Sequence, residues 1–190
     1  MRRLPIIPTI FVLAAVATMV ALGIWQLGRK DEKEALIARY EAALSNSSEF
    51  DWPHDPGDVE QVLFRRSRID CQRVLSIDAR AGTSASGDKG WAHHASCSPP
   101  GSDAAVDVAI GWSRSPQSPT WEGGRVEGIV APGPRLIASA PQAGLEPLAQ
   151  PDPRDLPNNH LAYAGQWFFF ALTALVIYGL ALRKRFKGED

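Results

Sequence analysis

His160 is the side chain with the most specific chemistry in this sequence. It opens an uncharged stretch over residues 161–182, and Tyr163 and Trp167 follow it closely. A neutral imidazole beside aromatic surface can ligate haem iron while the aromatic rings line the porphyrin edge. Alternatively, His160 and the two asparagines before it cap a helix, because asparagine is a preferred N-cap residue. The residues alone favour capping, since one histidine is a weak haem signal.

Two residues near the start of the chain lie at the matching depth. Trp25 and Gln26 end an uncharged stretch that runs over residues 4–28. Tryptophan favours the membrane–water interface, so anchoring explains both Trp25 and Trp167 without any ligand. If the two uncharged stretches pack together as helices, Trp25 and Gln26 join the surface around His160. The predicted cofactor surface therefore comprises His160, Tyr163, Trp167, Trp25 and Gln26.

Small residues share a face on each uncharged stretch. They are Ala14, Ala17, Thr18 and Ala21 on the first stretch, and Ala164, Ala171, Ala174 and Ala181 on the second. Small side chains let two helices approach closely, which favours a packed pair. Ordinary use of alanine in an apolar helix explains the same pattern equally well, so both interpretations stand.

Both uncharged stretches are long enough to span a membrane. At about 1.5 Å per residue, a helix over 161–182 reaches across a bilayer core of about 30 Å. We predict transmembrane helices over 4–28 and 160–182. A cleaved signal peptide, with its cleavage site at residues 15–17, is the alternative for the first stretch. The apolar run continues past that site without a polar segment, which favours a retained helix.

Basic residues set the predicted orientation. Arg2 and Arg3 precede the first span, and the tail over 183–190 carries four more basic side chains. The positive-inside rule keeps both ends in the cytoplasm. Residues 29–157 then form one extracytoplasmic domain, with a tether that leads back to the membrane.

The region between the spans predicts a small, mainly β domain. Residues 29–160 carry 14 Lys and Arg against 19 Asp and Glu, a formal charge of −5. This acidity argues against nucleic acid as a partner. A short amphipathic helix is predicted over 30–44, and short strands separated by turns over about 59–138. The predicted fold is two transmembrane helices flanking a small antiparallel β domain, with a short helix after the first span.

The clearest strand pattern lies near the middle of this domain. Val106, Val108, Ile110 and Trp112 alternate with smaller or polar residues. Because successive side chains of a strand point to opposite faces, these four residues are predicted to share one buried face.

Cys71 and Cys97 are predicted to form a disulfide, because an extracytoplasmic domain lies in an oxidising compartment. Two independent buried thiols are the alternative. His93 or His94 could join the cysteines in binding copper or zinc only if the disulfide were open. Adjacent strand residues face opposite ways, so the two histidines cannot easily share one ion, and surface histidines beside a structural disulfide are the favoured interpretation. We predict no metal site and, without a recognisable catalytic motif, no enzymatic activity.

Three segments together resemble a known family. Residues 22–29, Leu-Gly-Ile-Trp-Gln-Leu-Gly-Arg, resemble the segment that closes the first span of the surfeit locus protein one family, the cytochrome c oxidase assembly factors. Residues 158–168 resemble the segment that opens the family's second span. Residues 106–112 look like its strand ending in Arg-Gly-Trp, with Ile110 in place of the arginine. The similarity is strong at both ends of the chain and weak over about 45–155.

The resemblance implies a bacterial inner-membrane protein with its central domain in the periplasm. It implies a chaperone that assists haem a insertion into subunit I of a haem–copper oxidase or stabilises an early intermediate. Subunit I and haem a synthase are the implied partners. Some bacterial members are reported to bind haem a, and the matching histidine here is His160. A membrane scaffold that binds no cofactor and a copper- or thiol-handling domain remain the alternatives.

Overall fold

The computed structural model describes residues 5–53, 55–101 and 104–187. Several predictions fall partly outside these ranges. Arg2, Arg3, the first residue of the predicted span over 4–28 and the last three residues of the predicted tail over 183–190 lie outside the described residues.

The chain divides into two compact units. The helical unit combines Met1–Leu36 with Pro157–Asp190, and the β unit comprises Ile37–Leu156. The division separates the apolar ends of the chain from the polar middle, as the composition of the sequence predicts.

The helical unit is built on two long helices, α1 over Ile6–Ser45 and α2 over His160–Lys187, and residues 37–45 of α1 belong to the β unit. Both are long and apolar enough to cross a membrane. Only 6% of the most apolar stretch of each is buried, unlike the core helix of a soluble protein. Apolar helices whose surfaces stay exposed need an apolar surrounding, which a bilayer provides.

The prediction of a separate helix over 30–44 is wrong, because α1 continues without a break to Ser45. Charged side chains on successive turns stabilise this part of the helix: Lys30 Nζ lies 2.8 Å from Glu34 Oε2. Ion pairs four residues apart support a helix, and no proline interrupts it here. The change from apolar to charged composition therefore alters the surface of α1 and not its course.

Within the helical unit, α1 and α2 lie side by side and antiparallel. Contacts join the early part of one helix to the late part of the other: Thr9 with Tyr178, Gly23 with Phe168, and Gln26 with His160. The two uncharged stretches thus form the packed pair that was one of the two interpretations of their small residues.

The packed faces follow coiled-coil spacing, with steps of four and three residues. They include Val12, Val16, Met19, Gly23 and Gln26 on α1, and His160, Ala164, Trp167, Ala171 and Ala174 on α2. The predicted face of α2 is correct for three alanines, but Ala181 is exposed. The predicted face of α1 is wrong, since Ala14, Ala17, Thr18 and Ala21 are all exposed. The larger side chains of α1 instead pack against the alanine face of α2.

The β unit is built on one mixed sheet of seven strands. The strands are β1 Phe50–Asp51, β2 Arg66–Cys71, β3 Arg73–Thr83, β4 Lys89–Ser98, β5 Val106–Ser113, β6 Gly124–Ala131 and β7 Arg135–Ala138. Short 3-10 helices over Pro56–Val62 and Pro153–Asp155 complete the described elements of this unit.

The sheet order is β1-β2-β6-β7-β5-β4-β3. The predicted antiparallel sheet is correct for four of the neighbouring pairs, but β1 runs parallel to β2 and β5 runs parallel to β7. The chain leaves the sheet after β5 and returns as β6. A tight hairpin then leads from β6 to β7, which lies between β6 and β5. Because β7 runs opposite to β6 and lies next to β5, β5 and β7 form a parallel pair.

The sheet curls so that β2 and β4, the strands next to its two terminal strands, come together. β2 and β4 are separated by four strand spacings, which in a flat sheet would amount to about 19 Å. Cys71 of β2 and Cys97 of β4 are nevertheless joined in a disulfide, with their Cα atoms 5.2 Å apart. Only Gln72 separates β2 from β3, so the chain itself also connects the two ends. Both sulfurs are fully buried in the main core.

A β-bulge changes the predicted strand alternation. Val106, Val108 and Ile110 share the main core, as predicted. Trp112 instead packs in a second cluster with Ala109, because the register of β4 against β5 shifts between His93 and His94. A bulge adds one residue to one strand and so reverses the face of every later side chain.

The segment over 141–157, predicted as an extended tether, is fastened to the sheet over residues 142–149. The backbone N–H of Trp112 donates to Glu146 O, and the N–H of Glu146 donates back to Trp112 O. The N–H of Ala149 donates to Thr83 O. Leu148 is buried against Trp112 in the second cluster. This segment is therefore an integral layer of the β unit.

Candidate functional site

The helix pair brings His160 against Gln26, 134 positions away in the sequence. His160 Nδ1 lies 2.7 Å from Gln26 Oε1, and both side chains are partly buried. Gln26 lies on the packed face of α1, three residues after Gly23, and His160 is the first residue of α2. The antiparallel arrangement of the helices is what makes these two positions neighbours.

This hydrogen bond determines the tautomer of the imidazole. An amide oxygen only accepts, so His160 Nδ1–H donates to Gln26 Oε1. In a neutral ring the other nitrogen, Nε2, then carries a lone pair. Histidines that ligate metals commonly donate their second ring nitrogen in this manner, which fixes the orientation of the ring. The arrangement suits a single axial ligand of haem iron and lacks the four donors of a structural zinc site.

The predicted aromatic residues differ in their exposure. Trp167 is partly buried and packs edge-to-face against Phe170 of its own helix, with ring centroids 6.4 Å apart. Trp25 is 57% exposed and Tyr163 is 49% exposed. Trp25 and Tyr163 therefore offer apolar surface to a molecule that approaches the helix pair, whereas Trp167 mainly supports α2.

Among the described residues, no side-chain hydrogen bond to the first backbone N–H groups of α2 supports the capping interpretation. The backbone N–H of Tyr163 donates to the main-chain oxygen of Asn159, and the His160 ring is engaged by Gln26. The side-chain oxygen Oδ1 of Asn158 is buried and has no hydrogen-bond partner in the described part of the chain. An unpaired buried acceptor so close to His160 is a position where a bound molecule can donate a hydrogen bond.

Gly23 is a site residue that the sequence reasoning missed. A Cβ atom at Gly23 would lie 2.5 to 2.9 Å from three ring carbons of Phe168. Gly23 is also the buried residue of α1. A glycine inside an apolar helix is a recognised signal of close helix approach. Gly23 therefore sets the helix spacing one turn away from the Gln26–His160 contact.

Replacing Gly23 by leucine is expected to force the helices apart and to lower the stability of the detergent-solubilised protein by about 1–3 kcal/mol, the usual cost of overpacking. Thermal unfolding would measure the change. Gly28→Leu is the matched control, because a Cβ at Gly28 meets nothing within 4 Å. Adding Phe168→Ala should restore part of the loss. Equal effects of the leucine at both glycines would contradict this role of Gly23.

A comparison with protein-family models matches residues 13–172 to the SURF1 family, and this range covers most of the chain. The chain belongs to the SURF1 family. This family is the one that the terminal motifs resemble. No curated protein matches the sequence at a significant level.

Membership of the SURF1 family connects the chain with oxidase assembly, the process with which this family is associated. The matched range contains all the predicted site residues and both cysteines: Trp25, Gln26, His160, Tyr163, Trp167, Cys71 and Cys97. The match therefore spans the helix pair as well as the β unit.

His93 and His94 of this SURF1-family chain are buried, so the prediction of surface histidines is wrong. His93 Nε2 lies 2.8 Å from Ser113 Oγ, and that hydroxyl donates to the main-chain oxygen of Ser115. His94 Nδ1 lies 2.7 Å from Asp107 Oδ1. Each imidazole contacts a polar side chain of β5. The alternation of residues in the sequence does not show which strand supplies these partners.

The structure offers no support for a copper or thiol site around these histidines. Cys71 and Cys97 are bonded to each other, and a disulfide sulfur is not a thiolate ligand. No group of three His, Cys, Asp or Glu side chains with metal-binding geometry occurs among the described residues.

His93 makes the stability of the β unit depend on pH. Burial lowers the pKa of His93 below its usual value, since charging a buried imidazole is unfavourable. The unfolded chain then binds more protons than the folded one below about pH 6.5. Stability is expected to be complete above that pH and to fall on acidification, by at most about 1.4 kcal/mol per pH unit for this residue.

Urea unfolding between pH 7.5 and 5.0 would measure this loss. His93→Gln, which cannot take up a proton, should be less stable at neutral pH but show a smaller dependence on pH. If His93→Gln kept the full pH dependence, another group would be responsible for it.

Proposed function

We propose that this SURF1-family protein assists the biogenesis of haem–copper terminal oxidases, and that His160 contacts haem a before the haem enters subunit I. The observation that supports this proposal is the Gln26–His160 hydrogen bond. It holds the ring in one orientation and leaves Nε2 as a lone-pair donor. Haem a is cargo here, and its iron is the atom that an imidazole ligates.

Each group of residues has a task in this proposal. Gln26 orients the imidazole, and Gly23 keeps the two helices close enough for that contact. Trp25 and Tyr163 present exposed aromatic surface that can lie against a porphyrin edge. Asn158, two residues before His160, contributes a buried acceptor that has no partner among the described residues. These residues bind and orient the cargo, and none of them performs a chemical step.

We further propose a bacterial inner-membrane location, with α1 and α2 as the two spans and both chain ends in the cytoplasm. The basic residues that flank the apolar stretches support this orientation. The Cys71–Cys97 disulfide supports a periplasmic β unit, because disulfides persist in oxidising compartments. Subunit I and haem a synthase are the proposed partners.

The proposal is tested by purifying the full-length protein in detergent from cells that make haem a. Two results are expected: a Soret absorption band in the purified protein, and subunit I in the same preparation. Protein from cells that lack haem a synthesis should have no such band and serves as the control. Preparations that contain neither haem nor subunit I would contradict the proposal.

A scaffold that binds no cofactor is the second candidate function. The observation in its favour is that only 6% of the most apolar stretch of each helix is buried, which leaves its other apolar side chains available to a membrane partner. Haem-free protein that still co-purifies with subunit I would favour the scaffold. In that case His160 and Gln26 would serve only to hold the helix pair together.

A further inference from the structure

The β unit contains a cavity of about 420 Å³ that the proposed function does not use. Its floor is one face of the sheet, formed by β3, β4, β5 and β7, and the fastened segment over 148–156 covers it. The lining combines charged and apolar side chains and includes Arg80, His94, Arg135, Ile137, Leu148 and Gln150.

A bridged carboxylate lies next to this cavity. Asp107 accepts from His94 Nδ1 through one oxygen, at 2.7 Å, and from Arg80 Nη1 through the other, also at 2.7 Å. Burial opposes the charge of Asp107, but the contacts with His94 and Arg80 outweigh it and hold the pKa of the carboxyl below its usual value. Asp107 is therefore ionised at neutral pH, and both of its oxygens are occupied.

His94 keeps one ring nitrogen unused. Its side chain is only 8% exposed and lines the cavity. Because Nδ1 is bonded to Asp107, the neutral ring has its lone pair on Nε2. Among the described residues, Nε2 has no hydrogen-bond partner. Nε2 is not one of the fully buried atoms that lack a partner, so solvent in the cavity can supply its hydrogen bond.

Arg135 adds a positive charge that Asp107 does not neutralise. Arg135 of β7 is the register partner of Asp107 in β5 and lines the cavity, yet it forms no ion pair within the described residues. Arg80 uses only one of its five N–H donors on Asp107. Two guanidinium groups thus line the cavity, and both have N–H donors that Asp107 does not use.

The covering segment adds the carboxylates of Asp152 and Asp155 to the cavity lining. The Asp152 carboxylate accepts three hydrogen bonds from the guanidinium of Arg154, at 2.8 to 3.2 Å. Asp155 adjoins the same arginine, whose pKa it helps to raise. Ile137 and Leu148 contribute apolar surface between this acidic rim and the arginines. The strands at the floor of the cavity therefore carry its arginines, the covering segment carries its carboxylates, and apolar side chains lie on both.

From these contacts we infer that the cavity is a binding site for an organic carboxylate with an apolar body. Arg135 and the free N–H groups of Arg80 receive the carboxylate, since a guanidinium binds it through two parallel hydrogen bonds. Ile137 and Leu148 lie against the apolar body. The inference concerns the β unit alone and does not depend on haem binding at His160.

Two sources of such a carboxylate can be separated by titration calorimetry on the full-length, detergent-solubilised protein. The first probe is iron-free protoporphyrin, a dicarboxylate that His160 cannot ligate, and the second is a long-chain fatty acid. The uncharged methyl ester of each probe corrects for partition into detergent. Binding of either acid in preference to its ester supports the site and identifies the source of the ligand.

Arg135→Met is the decisive variant, because it removes the guanidinium without breaking an ion pair of the described structure. It should weaken binding of the acid by about tenfold or more, the effect of losing a charge-assisted hydrogen bond. Arg135→Lys should weaken it less. Arg73→Met, which removes an exposed arginine of β3 outside the cavity lining, should leave binding unchanged.

Unfolding temperatures equal to that of the wild type would show that Arg135→Met is folded. Equal binding of acid and ester, or equal affinities of the wild type and Arg135→Met, would overturn the inference. His160→Ala should leave binding of the iron-free probe unchanged, so failure of the cavity site and failure of the proposed haem contact are separate results.

Discussion

His160→Ala is expected to lose nearly all of the Soret absorption that we propose for the wild-type protein produced in cells making haem a. The variant removes the imidazole that is proposed to ligate the iron, together with its hydrogen bond to Gln26. Alanine is a good helix former, so the start of α2 should persist. The absorption spectrum, normalised to protein and read beside circular dichroism, measures the loss of haem separately from any loss of helix.

Substitutions of Gln26 test the role of its hydrogen bond to His160. Gln26→Leu deletes the acceptor and should lower haem affinity by about 10- to 100-fold, the usual effect of losing the group that orients a ligating histidine. Gln26→Glu keeps an acceptor for Nδ1–H and should retain haem. Gln166→Leu is the matched control, because Gln166 is exposed at a similar depth of the helix pair. Unchanged haem content in His160→Ala would remove His160 from the proposed function.

Removing the disulfide is expected to destabilise the β unit by about 3.5 kcal/mol, the loop-closure value for cysteines 26 positions apart. The bond joins strands near opposite ends of the sheet order, so it holds the curled sheet closed as well as shortening a loop. Urea unfolding of Cys71→Ala/Cys97→Ala beside the wild type measures the effect.

The single variants and the reductant serve as controls for this measurement. Cys71→Ala and Cys97→Ala should each be destabilised nearly as much as the double variant, because either one breaks the bond. The wild type treated with reductant should approach them. A wild type whose stability is unchanged by full reduction would contradict the argument.

The helices were predictable from the sequence because their signal is local. Uncharged runs of more than twenty residues identify them without reference to the rest of the fold. The packed face of α1 was not predictable from small residues alone. In the structure the alanine face belongs to α2, and valine and methionine side chains of α1 fill the space against it.

The strands of the sheet were predictable from the sequence, but the way in which they pair was not. Val106, Val108 and Ile110 show their common face in the sequence, whereas the position of Trp112 depends on a bulge against a neighbouring strand. His93 and His94 were placed on the surface, since nothing local indicates that Ser113 and Asp107 will accept them. Strand order depends on long-range hydrogen bonds, which alternation does not encode.

For the candidate site, the depth of its residues was predictable from the sequence, but the contact between Gln26 and His160 was not. Sequence placed Trp25, Gln26 and His160 at one depth, because depth follows from the ends of the uncharged runs. The hydrogen bond between Gln26 and His160 depends on how each helix is rotated about its axis, and that rotation is set by packing along the pair. Gly23 is the residue whose sequence signal, a glycine within an apolar helix, could have indicated that rotation.

The strand order imposes a sequence of events on the newly made chain. β3, β4 and β5 follow one another in the chain and pair as neighbours, so they can associate as soon as residue 113 has emerged. β2 must wait for β6, which ends at Ala131, and until then its backbone edge is open to other chains. Cys97 emerges well before β6, and oxidation with Cys71 would fasten β2 to β4 during that interval. Early oxidation of the two thiols is therefore expected to keep β2 close to β4 while β6 is still being made.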